Sequence, residues 1–94
     1  MESVFQNEKK CFACGKDIGL NSHHIFPGSR RKNSERYGFK VWLCTNHHTI
    51  GKDSVHENPN TGLDLKLKRM AQDYWESHYG NRKSFIETFG KNYL

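Results

Sequence analysis

Ninety-four residues with 34% hydrophobic content make one domain whose core is too small to be generously stable on its own, so a covalent or metal staple is expected. No apolar run approaches the roughly twenty residues that span a bilayer, and the stretch Met1–Lys10 lacks a signal-peptide core, which predicts a soluble cytoplasmic protein with no membrane partner. Three cysteines cannot all pair, and Cys11 and Cys14 stand three positions apart, so a secreted disulfide framework explains the count poorly and zinc explains it well. Fifteen Lys and Arg against ten Asp and Glu give a net charge of +5, concentrated at Arg30, Arg31, Lys32, Arg36 and Lys40. Such a cluster suits a polyanion, because each neutralised phosphate releases counterions; a solvated basic loop is the alternative.

Taken in chain order, residues 1 to 10 are polar and expected to be frayed, or ordered only on approaching the first cysteine pair. Cys11-Phe-Ala-Cys14-Gly15 reads as a zinc knuckle in which two thiolates converge. His23 to Phe26 has the content of a strand end, terminated by Pro27-Gly28-Ser29. Residues 29 to 38 read as a long basic loop. Phe39 to Cys44 alternates and carries Val41, Trp42 and Leu43, which predicts a second strand antiparallel to the first. Thr45 or Asn46 can cap a short helix bearing His47 and His48, limited by Gly51. Past a loop from Ser54 to Gly62, Thr61-x-x-Asp64 resembles a capping box. Leu63, Leu67, Met70, Ala71 and Tyr74 then recur at helical spacing, predicting a helix from Leu63 to Tyr79. Gly80 stops it, and Asn81 starts a last helix through Phe85, Ile86 and Phe89. The large aromatics are read as core rather than as platforms for stacked bases.

Cys11-x2-Cys14 and Cys44-x2-His47 are two ligand pairs at tetrahedral-site spacing, and strand pairing can bring them together; His48 is the alternative fourth ligand. A closed Cys3His site has no open position, so it can hold a fold but cannot activate water. Chemistry then falls to a second constellation of His23, His24, His48 and His56. Adjacent residues on a strand face opposite sides, so one of His23 and His24 can ligate a divalent ion while the other serves nearby as a base. That division of labour fits phosphodiester hydrolysis.

With Cys-x2-Cys, His23-His24-Ile25-Phe26 and Leu43-Cys44-x-x-His47-His48 in place, residues 11 to 57 resemble the HNH endonuclease superfamily, particularly its small phage-encoded members. The resemblance implies an α+β fold, a zinc-stapled ββα-metal finger, with the C-terminal helices at 63 to 89 lying outside the common motif. It implies a DNA endonuclease in which His23 ligates the catalytic ion, His24 is the general base and His48 is a second ligand. It also implies structural Zn²⁺ at Cys11, Cys14, Cys44 and His47, with Mg²⁺ or another divalent cation at the catalytic centre. Arg30, Arg31, Lys32 and Arg36 are then candidates for the DNA backbone, and Arg30 and Arg31 for the scissile or flanking phosphate.

Two positions depart from the family pattern. The middle Asn would fall near Phe39, so its role is vacant or passes to Asn33 or Asn46. Lys52 stands where some relatives supply another histidine, and an ammonium cannot ligate. His56 could substitute if the chain bends at Gly51, whereas an unbroken helix would leave it about 12 Å from His48 along the axis. The competing expectation is a zinc-stabilised module that binds nucleic acid without cutting it, or an accessory to phage DNA packaging. Pairing of two protomers through the C-terminal helices is a further expectation.

Overall fold

A computed structural model describes residues 1–94 as an α+β domain built on a two-stranded antiparallel sheet, β1 (Leu20–His24) and β2 (Lys40–Cys44). The register sets His23 opposite Val41 and Leu20 opposite Cys44. Residues directly opposite share a sheet face, so His23 faces inward with Val41. Alternation along β2 buries Val41 and Leu43 and leaves Lys40 and Trp42 partly exposed, as its sequence pattern predicts.

Between the strands the chain is not the predicted loop. A single 3₁₀ turn, Gly28–Arg30, leads into α1 (Arg31–Tyr37). The reason is tertiary: the fully buried Ser34 hydroxyl accepts from the Phe26 N–H (2.9 Å) and donates to the Phe26 carbonyl (3.0 Å), pinning the helix to the end of β1. Gly38 closes α1 with φ +71°, and a side chain there would strike the Glu2 carbonyl. Glycine meets both demands.

The first ten residues are tied down rather than frayed. Val4 N–H bonds to the Gly38 carbonyl (3.0 Å), the Gln6 side chain accepts from Trp42 N–H (2.7 Å), and Phe12 N–H donates to the Trp42 carbonyl (2.8 Å). This strap occupies the outer edge of β2, which would otherwise expose unpaired backbone groups.

The two C-terminal helices fall where their periodicity puts them, α2 at Gly62–His78 and α3 at Arg82–Phe89. Asn81 caps α3 by accepting from Ser84 N–H at 2.9 Å. At α2 the expected box is displaced by one residue: Thr61 makes no side-chain cap, and Asp64 instead accepts from Asn60 N–H (2.6 Å) and pairs with the buried Lys68 (2.8 Å). Of the aromatics read as core, Phe26, Trp75, Phe85 and Phe89 are buried across these elements, with Phe26 and Phe89 ring centroids 4.5 Å apart and Trp75 donating to Ser84 at 3.0 Å, whereas Trp42 lies outside the core, partly exposed on β2 under the Lys9 ammonium. No helix is long and apolar enough to cross a membrane.

Candidate metal centres

Two ligand clusters form around the sheet. In the first, the donor atoms of Cys11, Cys14, Cys44 and His47 lie within 4.8 Å of one another. The knuckle is shaped by backbone bonds from Cys11 N–H to Lys16 O and from Gly15 N–H to Cys11 O, both 2.8 Å. Cys44 arrives as the last residue of β2, and His47 from the turn after it. Cys14 and Cys44 sulfurs are 3.8 Å apart, while His47 Nδ1 is 3.2 Å from Cys44 Sγ and 3.8 Å from Cys11 Sγ. A tetrahedral ion with Zn–S bonds of ~2.3 Å places its sulfurs about 3.8 Å apart, so the donor set fits zinc.

The charges agree with this. Burial alone would raise the Cys11 thiol, but backbone N–H groups of Cys44, Cys14 and Ala13 outweigh it and bring it down to about 6. At Cys14 the Lys16 backbone favours the thiolate, yet burial and the neighbouring sulfurs of Cys11 and Cys44 win and the thiol is raised. Thiolates crowded this closely oppose one another's ionisation until a cation stands among them.

The second cluster is His23, His48 and His56, whose donor nitrogens also fall within 4.8 Å of one another. His23 comes from the inner face of β1 and His48 from Asn46–Ile50. That segment is a single wide turn rather than a regular α-helix, closed five residues apart by Gly51 N–H to Asn46 O (2.9 Å). A side chain at Gly51 would collide with the Asn46 carbonyl, and Gly51 leaves the turn in extended geometry (ψ 156°). The chain therefore doubles back. Val55 N–H bonds to His47 O (2.9 Å) and His56 N–H to His48 O (3.1 Å), which brings His56 Nε2 within 3.0 Å of His48 Nε2. His56 thus joins the cluster by the bend at Gly51, and Lys52 is exposed.

His23 Nε2 and His48 Nδ1 are buried with no hydrogen-bond partner. Unpaired buried polar atoms are costly, and two of them in one histidine cluster fit a cation that takes lone pairs. Burial, followed by the neighbouring His48, His56, His24 and Lys68, drives His23 down to about 3. His48 is lowered too, first by burial and then by His56. His23 is therefore neutral, the form in which imidazole ligates.

The sign of this shift gives a prediction. Between pH 6.5, the ordinary imidazole value, and about 3, the unfolded chain carries a proton at His23 that the folded chain excludes. Stability is therefore whole above 6.5 and falls as pH drops through that window. Urea midpoints of the zinc-loaded protein should decline more steeply below pH 6.5 than those of His23→Gln, a comparison in which acid loss of zinc is common to both. Parallel curves would refute the assignment.

His24, next along β1, is turned toward α1. Its Nε2 lies 2.9 Å from Glu35 Oε1, and Arg31 Nε donates to its Nδ1 at 3.3 Å. Lys40, then His24, then the N-terminal amine hold the Glu35 carboxyl well below the usual carboxylate range. Neither Asn33 nor Asn46 bonds to His24: the Asn33 side chain donates to Thr88 O (2.8 Å). Phe39 is wholly buried in the core. Glu35, absent from the sequence-based set, is the carboxylate beside this histidine. The signal that could have revealed it is the Arg31–Glu35 spacing of four, one helical turn, within a segment whose polar composition reads as loop.

The basic candidates divide. Arg30 donates to Thr88 O (3.2 Å) and anchors the end of α3, Arg31 is held at His24, Lys32 is exposed, and Arg36 lies over the Tyr37 ring at 5.6 Å. His78 stacks on Tyr74 at 4.0 Å, away from both clusters.

Fold and site together define a small α+β domain carrying a Cys3His cluster that can hold a metal such as zinc, with a separate three-histidine cluster beside it. Set against protein-family models, curated proteins and solved structures, the chain finds no match.

Proposed function

We propose that this chain is a metal-dependent DNA endonuclease of the HNH type, a ββα-metal finger stapled by zinc. The observation that carries the reading is the three-imidazole cluster with its unpaired buried nitrogens, one residue along β1 from a histidine held by a carboxylate. The closed Cys3His group would fix the scaffold. His23, His48 and His56 would hold the second ion, and the exposure of His56 leaves that side open to a phosphate. Three imidazoles without a carboxylate suit a divalent transition-metal ion better than Mg²⁺, which prefers oxygen donors. When bound, that ion supplies Lewis-acid stabilisation of charge on the phosphate and the leaving oxygen.

The chain's own groups supply the rest. His24 takes a proton from the attacking water as that water's oxygen bonds to phosphorus, and the ester oxygen leaves. Arg31, Lys32 and Arg36 draw the backbone toward the site by charge, which implies weak sequence preference.

The test is conversion of supercoiled plasmid to nicked or linear forms by zinc-loaded protein supplied in turn with Mn²⁺, Co²⁺, Ni²⁺, Zn²⁺ and Mg²⁺. Cleavage is expected with at least one transition-metal ion and weakest with Mg²⁺. No cleavage with any of them, alongside retained DNA binding, would replace this reading with a non-catalytic nucleic-acid-binding module.

A further inference from the structure

The environment of His24 settles a question the histidine itself leaves open, namely which ring nitrogen is free. A neutral imidazole has one N–H and one lone pair. Glu35 Oε1, 2.9 Å from Nε2, belongs to a carboxylate that Lys40 (2.8 Å) and the N-terminal amine (2.9 Å) keep ionised, so it can only accept. Arg31 Nε, 3.3 Å from Nδ1, can only donate. The two contacts are independent, come from opposite ends of the ring, and require the same state: a proton on Nε2 and a lone pair on Nδ1.

We propose that Glu35 is a positioning residue that fixes His24 as its Nε2–H tautomer and makes Nδ1 the atom that accepts the proton, a role that rests on the nuclease reading above. Glu35 touches no substrate. It acts through the ring, by choosing the tautomer, holding the orientation, and stabilising the imidazolium once Nδ1 has taken its proton, the work a buried carboxylate performs beside a catalytic histidine in other hydrolases. α1 exists in part to deliver it: Ser34 locks the helix to β1, and the neighbouring Glu35 is thereby set against His24 while Arg31, one turn earlier, covers Nδ1. A phosphate arriving at the site offers the Arg31 guanidinium a stronger partner than a neutral imidazole, so binding uncovers the lone pair as it brings the phosphorus near.

The closing experiment has a readout independent of cleavage. Long-range ¹H–¹⁵N spectra of zinc-loaded protein with no second ion, at about pH 8 where an ordinary imidazole is neutral, should show His24 as the Nε2–H tautomer. In Glu35→Ala that preference should weaken, with Arg31 alone still favouring it, and in Glu35→Ala combined with Arg31→Met it should collapse to a mixture. Cleavage by Glu35→Ala should lose about tenfold to a hundredfold in kcat with KM for plasmid and zinc content unchanged, as misorientation of a base predicts. Lys40→Ala, which removes a Glu35 partner outside the His24 contact, should leave the tautomer as it is. An Nδ1–H tautomer in the parent, or a tautomer indifferent to Glu35→Ala, would overturn the inference even if the protein cuts DNA. A fixed tautomer in a protein that never cleaves would uphold the role of Glu35 on the ring and remove the nuclease reading instead.

Discussion

Stripping zinc is expected to unfold this chain rather than loosen it. Thirteen buried hydrophobic residues form the core, and two of them, Cys11 and Cys44, are themselves metal-ligand candidates. The ion would join the knuckle at residues 11 to 14 to the end of β2 and the turn beyond. Structural zinc binds with an apparent ~10–16 kcal/mol, against a net stability of about 5–15 kcal/mol for a typical domain. Loss of the ion therefore removes an amount comparable to everything that holds the fold. It also leaves the Cys14 and Cys44 sulfurs, 3.8 Å apart, with no ion to hold them together. Treatment with a strong chelator should collapse the near-ultraviolet dichroism of Trp75 and the tyrosines and the dispersion of amide resonances, and added Zn²⁺ should restore both. Cys44→Ser should behave as the chelated parent does. Metal analysis of the native protein should return one tightly held zinc per chain. A metal-free chain that keeps its dispersed spectrum would show that the hydrophobic core suffices alone.

The second strand, the two C-terminal helices and the Cys3His cluster were legible because each rests on local pattern. Val41 and Leu43 alternate along β2, Leu67, Ala71 and Trp75 line the buried side of α2, and the cysteine pairs keep ligand spacing. What escaped the sequence depends on single polar side chains acting at a distance. α1 is held by the Ser34 hydroxyl, and no periodicity announces a helix among Arg31, Lys32, Asn33 and Ser34. The N-terminal strap is fastened by Gln6, whose amide oxygen completes β2 as a backbone carbonyl would. Propensity has no access to such bonds, since their partners lie outside the local window, eight positions away for Ser34 and thirty-six for Gln6.

His56 shows the same limit at the site. Its place depends on whether Asn46–Ile50 continues as a helix or opens into a wide turn, and those alternatives differ by the separation of eight helical residues, about 12 Å. The deciding features are the absence of a side chain at Gly51 and the two backbone bonds that return Val55 and His56 to His47 and His48. The tandem histidines, by contrast, divided as strand alternation requires: His23 is 3% exposed on the inner face, and His24 is turned to α1.

That division makes His24→Ala the sharpest mutational test of the proposed chemistry. The His24 ring bonds only to Glu35 and Arg31, both on α1, while α1 itself is fastened by Ser34 and Gly38. Truncation should therefore leave the fold, the zinc content and binding of a second ion intact. It removes the proposed acceptor of the water's proton, and general-base catalysis is worth about 10²–10⁴-fold. Plasmid cleavage by His24→Ala should fall by that factor with little change in KM. His48→Ala should fail differently, losing the second ion as well as activity, because it removes one of three imidazoles from the cluster. Cobalt titration separates the two: zinc-loaded parent and His24→Ala should each take up one further Co²⁺, and His48→Ala should not. A His24→Ala protein that cuts within a few-fold of the parent would transfer the base to another group and leave the His24–Glu35 pair a structural feature of α1. A His24→Ala protein that loses its second ion would place His24 among the ligands, and the split of the tandem pair into ligand and base would be wrong.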